Sequence, residues 1–357
     1  MFRIAIFGLG GVAEQIHLPA VASLSEIKLV AACDPAAARR EEMGRRFGIP
    51  ALYAAPEVLL SQERPDLVIV ATPPDSHRDL CLLALAHGAH VLCEKPFVRS
   101  VSEADEVIAE AERRGLMVGV NNQYRFLKIY RLTKEQLASQ VYGQPFLIQC
   151  WQQMFHPPTQ EKNWRAQLTE YTLYEFGTHP LDLMCFFFNA LPMSISAHTP
   201  HPRSDLEADV IVQATLRFPN ERLATLLCNR ISHAPERYLE MRIDCEKASL
   251  RLSFGGVARA AVDWSRVLGR PIGRFSLTKG GEARVEAGGR SRVIARERTE
   301  GRMTATALLL QKLLDTLENG TVSNDQARHA RELMRIVRAG YESARTGETV
   351  WLQTPGT

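Results

Sequence analysis

The stretch FRIAIFGLGGVA, residues 2–13, decides the fold of the N-terminal third of the chain. It opens with a nearly continuous apolar run, which is typical of a parallel strand buried on both faces. GLGGVA, at 8–13, then has the spacing G-x-G-x-x-G/A. In this spacing Gly8 permits a tight turn, Gly10 lets the backbone approach a ligand closely, and Ala13 lets a helix pack on the strand. The stretch predicts strand, turn and helix, with helical N–H groups available to phosphates.

Strands and helices go on alternating to about residue 121. This βαβαβ order predicts a doubly wound parallel sheet, the α/β fold of a Rossmann domain. A capping pattern predicts that one helix begins at Ser102, with Asp105 three residues later. The predicted strands are 2–8, 28–34, 51–54, 66–73, 90–94 and 116–121, and the predicted helices are 12–24, 36–46, 76–87 and 102–114.

After residue 122 strand patterns dominate, and several alternate with period two. This predicts an α+β domain whose antiparallel sheet is open on one face. The predicted domains are 1–121 for dinucleotide binding and 122–357 for substrate binding and oligomerisation, and the C-terminal helices are free to pack back on the first. Strands are predicted at 145–153, 209–218, 222–231, 238–245, 248–254 and the closing ETVWL, helices at 171–190, 303–318 and 324–345, and loops with a weak hairpin at 255–301.

Length and composition narrow the function classes. The 357 residues are enough for two domains with their own cores. A net charge of +3 gives no electrostatic basis for binding nucleic acid or an anionic membrane. The sequence contains no run of 18 apolar residues, so no membrane span is predicted. The seven cysteines lack a CxxC pair and predict a reducing, cytoplasmic location. The ten histidines show no metal-ligand spacing, so no metal site is predicted.

The dinucleotide is predicted to be NAD. Asp34 ends the second strand, about 20 residues after the glycine loop, where a carboxylate accepts both ribose hydroxyls and repels a 2′-phosphate. Arg39 lies close by in the sequence and could hold that phosphate, so NADP stays as the alternative cofactor.

Further ligand contacts are predicted where later strands end, because open α/β sheets bind ligands at their carboxyl edge. Thr72 and Pro73 end the fourth strand, and His77 is either a cofactor contact or a structural residue at a helix start. In HVLCEKPF, 90–97, an apolar strand runs into Glu94 and Lys95, and Glu and Lys are seldom buried unless paired or functional. The residues Asn121, Tyr124 and Arg125 follow the sixth strand and are expected at the same edge.

These motifs, with GLGGVAEQIHLPAV, ATPPDSH, AHGAHVLCEKP, NWR (163–165), EFGTHPLD (175–182) and SARTGETVWL, resemble the glucose–fructose oxidoreductase / inositol dehydrogenase / rhizopine-catabolism family. The resemblance covers essentially the whole chain. It implies a Rossmann domain followed by an α+β domain with a large, open, mostly antiparallel sheet. It also implies NAD(P)-dependent oxidation of a sugar or polyol hydroxyl, or the reverse reduction.

The resemblance also implies site residues. Lys95 would contact the reacting hydroxyl and His179 would handle its proton, aided by a carboxylate four residues earlier. That position holds Glu175 here, in place of the family's aspartate. The family's Gly-Gly run is replaced by Tyr171, Thr172 and Leu173. Trp164 and Arg165 would reach the nicotinamide.

The chemistry of these residue types agrees with such roles. His179 can act as a base near neutral pH, and Lys95 can stabilise a developing alkoxide. Glu175 would share a helix face with His179, but Pro180 disfavours helical geometry at the histidine. A helix beginning at Thr178 would place that proline in the first turn, where it is tolerated.

The predicted site therefore has three parts. Lys95, His179 and Glu175 are the predicted catalytic residues. The predicted substrate residues are Lys95, His179, Tyr124, Arg125, Tyr171 and Asp182, and Asp182 has a purely structural alternative. Two other functions stay open: NAD-dependent glycoside cleavage, and a non-catalytic dinucleotide-binding regulator. A homodimer or homotetramer is expected through the C-terminal sheet. The predicted cofactor residues are Gly8, Leu9, Gly10, Gly11, Val12, Ala13, Asp34, Arg39, Thr72, Pro73, Pro74, His77, Glu94, Lys95, Asn121, Trp164 and Arg165.

Overall fold

The computed structural model divides the chain into two compact units, Met1–Phe126 with Arg302–Arg338, and Leu127–Gly301 with Ala339–Thr357. No helix within the described ranges is long and apolar enough to cross a membrane. Asn163, part of the NWR motif, lies outside the described residues. Those residues are 1–161, 164–203, 205–233, 237–255, 259–265, 270–276, 280–297 and 301–352, with the backbone alone for 259–265 and 270–276.

The first unit contains a six-stranded parallel sheet, whose strands are β1 (Phe2–Phe7), β2 (Ile27–Cys33), β3 (Leu52–Tyr53), β4 (Leu67–Val70), β5 (His90–Cys93) and β6 (Val118–Val120). Their order is β3-β2-β1-β4-β5-β6 and every neighbouring pair is parallel. This is the order of a dinucleotide-binding Rossmann fold, with the change of direction between β1 and β4. The predicted doubly wound fold and the six predicted strands of this region are confirmed.

The helices described for the chain are α1 (Leu18–Ala22), α2 (Ala37–Phe47), α3 (Pro56–Glu63), α4 (His77–Ala86), α5 (Val101–Arg114), α6 (Lys128–Ala138), α7 (Thr178–Phe188), α8 (Arg302–Glu318) and α9 (Asp325–Thr346). One face of the parallel sheet packs on α1, α2 and α8, and the other packs on α3, α4, α5 and the start of α9. Helices on both faces explain why the strands read as continuous apolar runs.

Two helix predictions in the first unit needed correction. The α5 helix begins one residue before the predicted start, because Ser100 is the capping residue and its Oγ accepts the Glu103 N–H at 3.2 Å. The carboxylate of Glu103 in turn accepts the Arg99 N–H at 2.8 Å. The sequence analysis also missed α3, which starts at Pro56 and carries its apolar residues consecutively rather than at helical spacing.

The second unit contains a nine-stranded sheet and a separate hairpin, and its strands are β7 (Pro145–Gln153), β8 (Ser194–His198), β9 (Ile211–Phe218), β10 (Arg222–Asn229), β11 (Leu239–Cys245), β12 (Ser249–Phe254), β13 (Arg259–Ser265), β14 (Arg270–Ser276), β15 (Gly281–Ala287), β16 (Arg290–Glu297) and β17 (Val350–Trp351). The sheet order is β16-β15-β12-β11-β7-β10-β9-β8-β17, and among these strands only β7 and β10 pair in parallel. The predicted α+β domain with a large, mostly antiparallel sheet is confirmed.

The prediction of loops over 255–301 was wrong in its second half. The hairpin β13–β14 stands apart from the large sheet, but β15 and β16 extend that sheet at one edge. Both strands alternate charged residues with small or apolar ones, a weak pattern that the many arginines conceal. The segments 256–258, 266–269, 277–279 and 298–300 lie outside the described residues.

The two faces of the large sheet differ sharply in chemistry. Apolar side chains such as Ile148, Cys150 and Ile243 are buried on one face, on which α6 and α7 pack. The opposite face carries partly exposed Gln149, Trp151 and Arg242 together with further charged residues. The face on which neither α6 nor α7 packs is therefore polar and charged.

Candidate active site

The glycine loop has the geometry that close approach of a pyrophosphate requires. Gly8 has φ +87°, and a Cβ there would lie 2.7 Å from the Ala71 carbonyl oxygen, so this turn needs glycine. A Cβ built on Gly10 meets no described atom within 4 Å, so its absence leaves the backbone open to a ligand. A π-helical turn, Ala13–His17, follows the loop and runs on into α1. The loop residues therefore fit the diphosphate of NAD.

Asp34 lies at the end of β2 and is fixed against the loop. Its Oδ2 accepts the Leu9 N–H at 2.8 Å, and its Oδ1 accepts the Ala36 N–H at 2.9 Å. The remaining lone pairs of the carboxylate can accept ribose hydroxyls, as the sequence predicts.

Arg39 is bound to the protein rather than extended toward solvent. Its Nε and Nη2 donate to the Leu9 carbonyl at 2.9 and 2.6 Å, and its guanidinium pairs with Glu14 at 2.9 Å and Glu42 at 2.7 Å. Hydrogen bonding to Glu14 raises the pKa of this already basic group. Two carboxylates therefore compensate the charge that a 2′-phosphate would need, which favours NAD.

His77 matches the structural alternative of its prediction. The side chain is fully buried, with Nδ1 at 3.1 and 3.0 Å from the carbonyl oxygens of Pro96 and Phe97, and Nε2 at 2.8 Å from that of Thr72. It thus connects the ends of β4 and β5 and supports the loop that carries Thr72. Pro73 and Pro74 lie in the same loop, and Pro74 is buried.

The turn after β5 contains a buried carboxylate beside the predicted catalytic lysine. Glu94 is 6% exposed, and its Oε1 accepts the Nε2–H of His17 at 2.6 Å and the Nδ2–H of Asn121 at 2.7 Å. Its Oε2 accepts the backbone N–H of Lys95 at 3.1 Å. The Lys95–Pro96 peptide is cis. Glu94 and Asn121, predicted as cofactor contacts, are thus committed to a buried network that fixes the lysine backbone.

The other residues predicted after β6 differ in their surroundings. Tyr124 is 4% exposed, and Arg125 donates through Nη2 to the imidazole of His329 on α9. Asn121 also exchanges hydrogen bonds with Thr306 of α8 at 3.3 Å. The two C-terminal helices of the first unit therefore support the segment that follows the last strand of the sheet.

In the second unit the predicted base lies at the start of α7. This helix begins at Thr178, so Pro180 falls in its first turn, as the sequence required for a helical His179. A π-helical turn, Thr172–Phe176, leads into it, and such turns are frequent at functional sites. His179 is 6% exposed, and Asp182, one turn later, is 1% exposed.

Glu175 is bound by an arginine that the sequence analysis assigned to the cofactor. Its Oε1 accepts Nη2 of Arg165 at 2.7 Å and Nε at 3.2 Å, and the guanidinium stacks on Trp164 at 4.4 Å. Arg165 therefore fixes the carboxylate predicted to orient His179, within the second unit.

Tyr171 is a buried packing residue in this structure. It is 1% exposed, its hydroxyl donates to Glu161 at 2.5 Å, and the guanidinium of Arg230 lies 3.7 Å from its ring centroid. Its backbone N–H donates to the buried carboxylate of Asp209 at 2.5 Å. We propose no substrate contact for it, because both its ring and its hydroxyl are occupied by protein groups.

The sequence analysis missed several residues of these networks, notably His17, Glu161, Asp209, Arg230 and Thr306. They lie 10 to 185 residues from their partners along the chain, so no spacing pattern connects them. The quoted stretch GLGGVAEQIHLPAV did contain His17, but nothing local to it distinguishes a buried partner of Glu94. Among the described residues there is no cluster of three or more His, Cys, Asp or Glu that could hold a metal ion.

Comparison with known proteins gives a consistent result for both units. Residues 2–122 match the family model of oxidoreductases with an NAD-binding Rossmann fold, and residues 130–251 match the GFO/IDH/MocA C-terminal domain. The chain is 24% identical over 354 residues to a D-apiose dehydrogenase of Paraburkholderia graminis, covering 99% of this chain and 90% of that protein. It is 29% identical over 145 residues to a D-glucoside 3-dehydrogenase of Escherichia coli, covering 41% of each chain.

A solved structure shows the same fold. An oxidoreductase from Agrobacterium radiobacter, crystallised with NAD+, L-tartaric acid and magnesium, superposes with a TM-score of 0.83 over 98% of both chains. Its sequence identity to this chain is 21%.

Proposed function

The chain belongs to the GFO/IDH/MocA family of NAD-binding oxidoreductases, and we propose that it transfers hydride between nicotinamide and a CH–OH group of a sugar or polyol. The NAD(P)-dependent dehydrogenase class follows from the family and its named relatives. The substrate class is supported by the apiose and glucoside dehydrogenases to which the chain is similar. The observation that carries the proposal is the position of Lys95. The buried Glu94 accepts the backbone N–H of this lysine at the sheet edge that also carries the glycine loop.

The glycine loop and Asp34 are the groups we propose to hold the cofactor. Gly8, Gly10 and the N–H groups after them face the diphosphate, and Asp34 accepts the ribose hydroxyls. Bound NAD supplies the hydride acceptor or donor.

Lys95 is the proposed contact to the reacting oxygen. When hydride leaves the carbon of a CH–OH group, negative charge develops on its oxygen, and an ammonium placed there stabilises that charge. The backbone of this lysine is held by Glu94 before it and, through the carbonyls of Pro96 and Phe97, by His77 after it. A fixed backbone reduces the entropy lost when the side chain adopts one working position.

His179 is the proposed general base in the oxidation direction. A ring nitrogen takes the hydroxyl proton as hydride leaves the carbon, and it returns the proton in the reverse reduction. Glu175 is the proposed positioning group for the imidazole, and Arg165 holds its carboxylate through two hydrogen bonds. A longer carboxylate than aspartate at this position is thus accompanied by an arginine that restricts it.

The proposal is tested by incubating the purified protein with NAD+ and a panel of sugars, glycosides and polyols while following the absorbance of reduced nicotinamide. We expect turnover of at least one panel member and its loss in Lys95→Ala. Lys28→Ala is the matched control, because Lys28 is an exposed lysine in β2. Tight NAD+ binding without turnover of any panel member would favour the regulator alternative, and release of an aglycone without reduced nicotinamide would favour glycoside cleavage.

We further propose that the open face of the nine-stranded sheet binds a second copy of the chain, giving a dimer or tetramer. A groove of about 610 Å³ on this face is lined by Trp151 and by charges of both signs, including Glu240, Arg242, Glu282 and Arg284. Mixed charges suit a self-complementary interface, in which the same patch meets itself. Light scattering on the purified protein is expected to show an oligomer that Arg242→Glu weakens, and a monomer at micromolar concentration would contradict the proposal.

The seven buried cysteine thiols support a reducing compartment, and we propose the cytoplasm as the location.

A further inference from the structure

Glu94 is unusual in being a buried carboxylate at the end of an apolar strand. Three N–H groups donate to it: the imidazole of His17 and the amide of Asn121 to Oε1, and the backbone of Lys95 to Oε2. A carboxylate only accepts, so the proton of the imidazole lies on Nε2. The short distances of 2.6 and 2.7 Å at Oε1 are typical of charge-assisted hydrogen bonds.

The ionisation of Glu94 depends on these partners. Burial by itself would raise the pKa of the carboxyl, but the hydrogen bonds from His17 and Asn121, with the charge of Lys95, outweigh it and lower that pKa. The carboxylate therefore stays charged near neutral pH and acts as a strong acceptor for the Lys95 N–H. Removing one of the donors at Oε1 would remove part of the hydrogen bonding that compensates the desolvation free energy of the buried carboxylate.

His17 has little else to hold it. Its ring is fully buried, and its Nδ1 has no hydrogen-bond partner among the described residues. Among the described residues, Glu94 is therefore the hydrogen-bond partner of this side chain. His17 also ends the π-helical turn that follows the glycine loop, so its bond to Glu94 joins that turn to the lysine turn.

We propose that His17 is a positioning residue for Lys95 and acts on it through Glu94. The imidazole fixes the carboxylate, the carboxylate fixes the Lys95 N–H, and the ammonium is thereby directed toward the reacting oxygen. The inference rests on the proposed function, because it assigns a role in the chemistry of Lys95.

The test compares His17→Met with His17→Gln. The amide nitrogen of glutamine can replace Nε2 as the donor to Glu94, whereas methionine fills the space without donating. We expect kcat to fall on the order of 10- to 100-fold in His17→Met, the range of one hydrogen bond to a charged group. In His17→Gln we expect kcat to recover to within about 3-fold of wild type, with KM and the NAD+ dissociation constant changed little in both variants.

His90 provides the matched control, because it lies at the opposite end of β5 and its Nδ1 accepts the Met117 N–H at 3.0 Å. His90→Met and His90→Gln should lower the melting temperature, and neither should lower kcat at an unchanged KM. A wild-type kcat in His17→Met, or equal losses of kcat in both His17 variants at matched melting temperatures, would overturn the inference.

Two further variants keep the outcome decisive. If His17→Met does not fold, Glu94→Gln keeps the size of the side chain and removes its charge, and a wild-type kcat in that variant overturns the inference. Lys95→Ala, measured alongside, distinguishes a failure of the proposed function from a failure of the positioning role of His17. If Lys95→Ala keeps its kcat, the proposed function fails, whereas if it loses kcat and His17→Met does not, only the positioning role fails.

Discussion

Replacing Asp34 by asparagine should change cofactor selectivity while leaving the fold intact. The Asp34 carboxylate supports the buried Leu9 N–H through a bond of 2.8 Å, so alanine at this position would leave that donor without its acceptor. Asparagine keeps an oxygen for the Leu9 N–H and removes the negative charge, while its NH2 group replaces the oxygen that accepts the Ala36 N–H. The variant therefore tests the charge at this position and keeps the bond to the glycine loop.

The expected size of the effect follows from the two ribose hydroxyls. A hydrogen bond to a charged group contributes about 1.5–3 kcal/mol and a neutral one about 0.5–1.5 kcal/mol, so each hydroxyl loses about 1–1.5 kcal/mol. For two hydroxyls the loss is about 2–3 kcal/mol, or about 30- to 160-fold weaker NAD+ binding. NADP+ should bind more tightly than to wild type, because the charge that repels its 2′-phosphate is gone.

Calorimetric titration of both cofactors measures these changes directly. Arg39→Ala in the Asp34→Asn background is the control for residual phosphate binding, since Glu14 and Glu42 already neutralise that guanidinium. If Asp34→Asn bound both cofactors as wild type does, the carboxylate would not contact the ribose, and the predicted NAD preference would lose its physical basis.

Three other outcomes follow from the structure. Gly10→Ala should fold normally and bind NAD+ more weakly, whereas Gly8→Ala should lose about 1–3 kcal/mol of stability, because its φ is positive and a Cβ would meet the Ala71 carbonyl; equal melting temperatures would contradict this. Arg230→Met should lower the free energy of unfolding in urea by about 3–5 kcal/mol, because it leaves the buried carboxylate of Glu161, 3.4 Å from Nη2, without its guanidinium partner; a loss below about 1 kcal/mol would contradict it. Burial raises the pKa of Asp209 above 3.8, so its contribution to the free energy of unfolding is fully present at low pH and declines as pH rises through the raised pKa. The free energy of unfolding of Asp209→Asn in urea, measured from about pH 4 upward, should lack this decline. A pH profile parallel to that of the wild type would refute the raised pKa of Asp209.

The sequence predicted what is contiguous along the chain. The glycine loop, Asp34 at the end of β2 and the Lys95–Pro96 turn each lie within a few residues of a buried strand, so local patterns were enough to place them. The helix predicted over 171–190 begins instead at Thr178, which is the start that the sequence analysis named as the one that tolerates Pro180.

The sequence could not predict the partners of these residues. His17 and Glu94 are 77 residues apart, and Asn121 and Thr306 are 185 apart. Such contacts depend on how helices pack against the sheet, which no spacing rule for a single chain determines. The same limit explains why the bond between Arg165 and Glu175 was not predicted and why β15 and β16 were taken for loops.

The two units use the same physical device beside their proposed catalytic residues. Glu94 accepts the N–H of Lys95, and Asp209 accepts the N–H groups of Tyr171 and Thr172, which begin the π-helical turn before His179. Both carboxylates are buried, and burying a carboxylate costs more than burying an apolar side chain of similar size unless donors surround it. An apolar residue would fill either position but could not hold a backbone N–H in a fixed direction. Backbone segments that must place one side chain reproducibly benefit from such an acceptor, and this accounts for an apolar strand that ends in two charges.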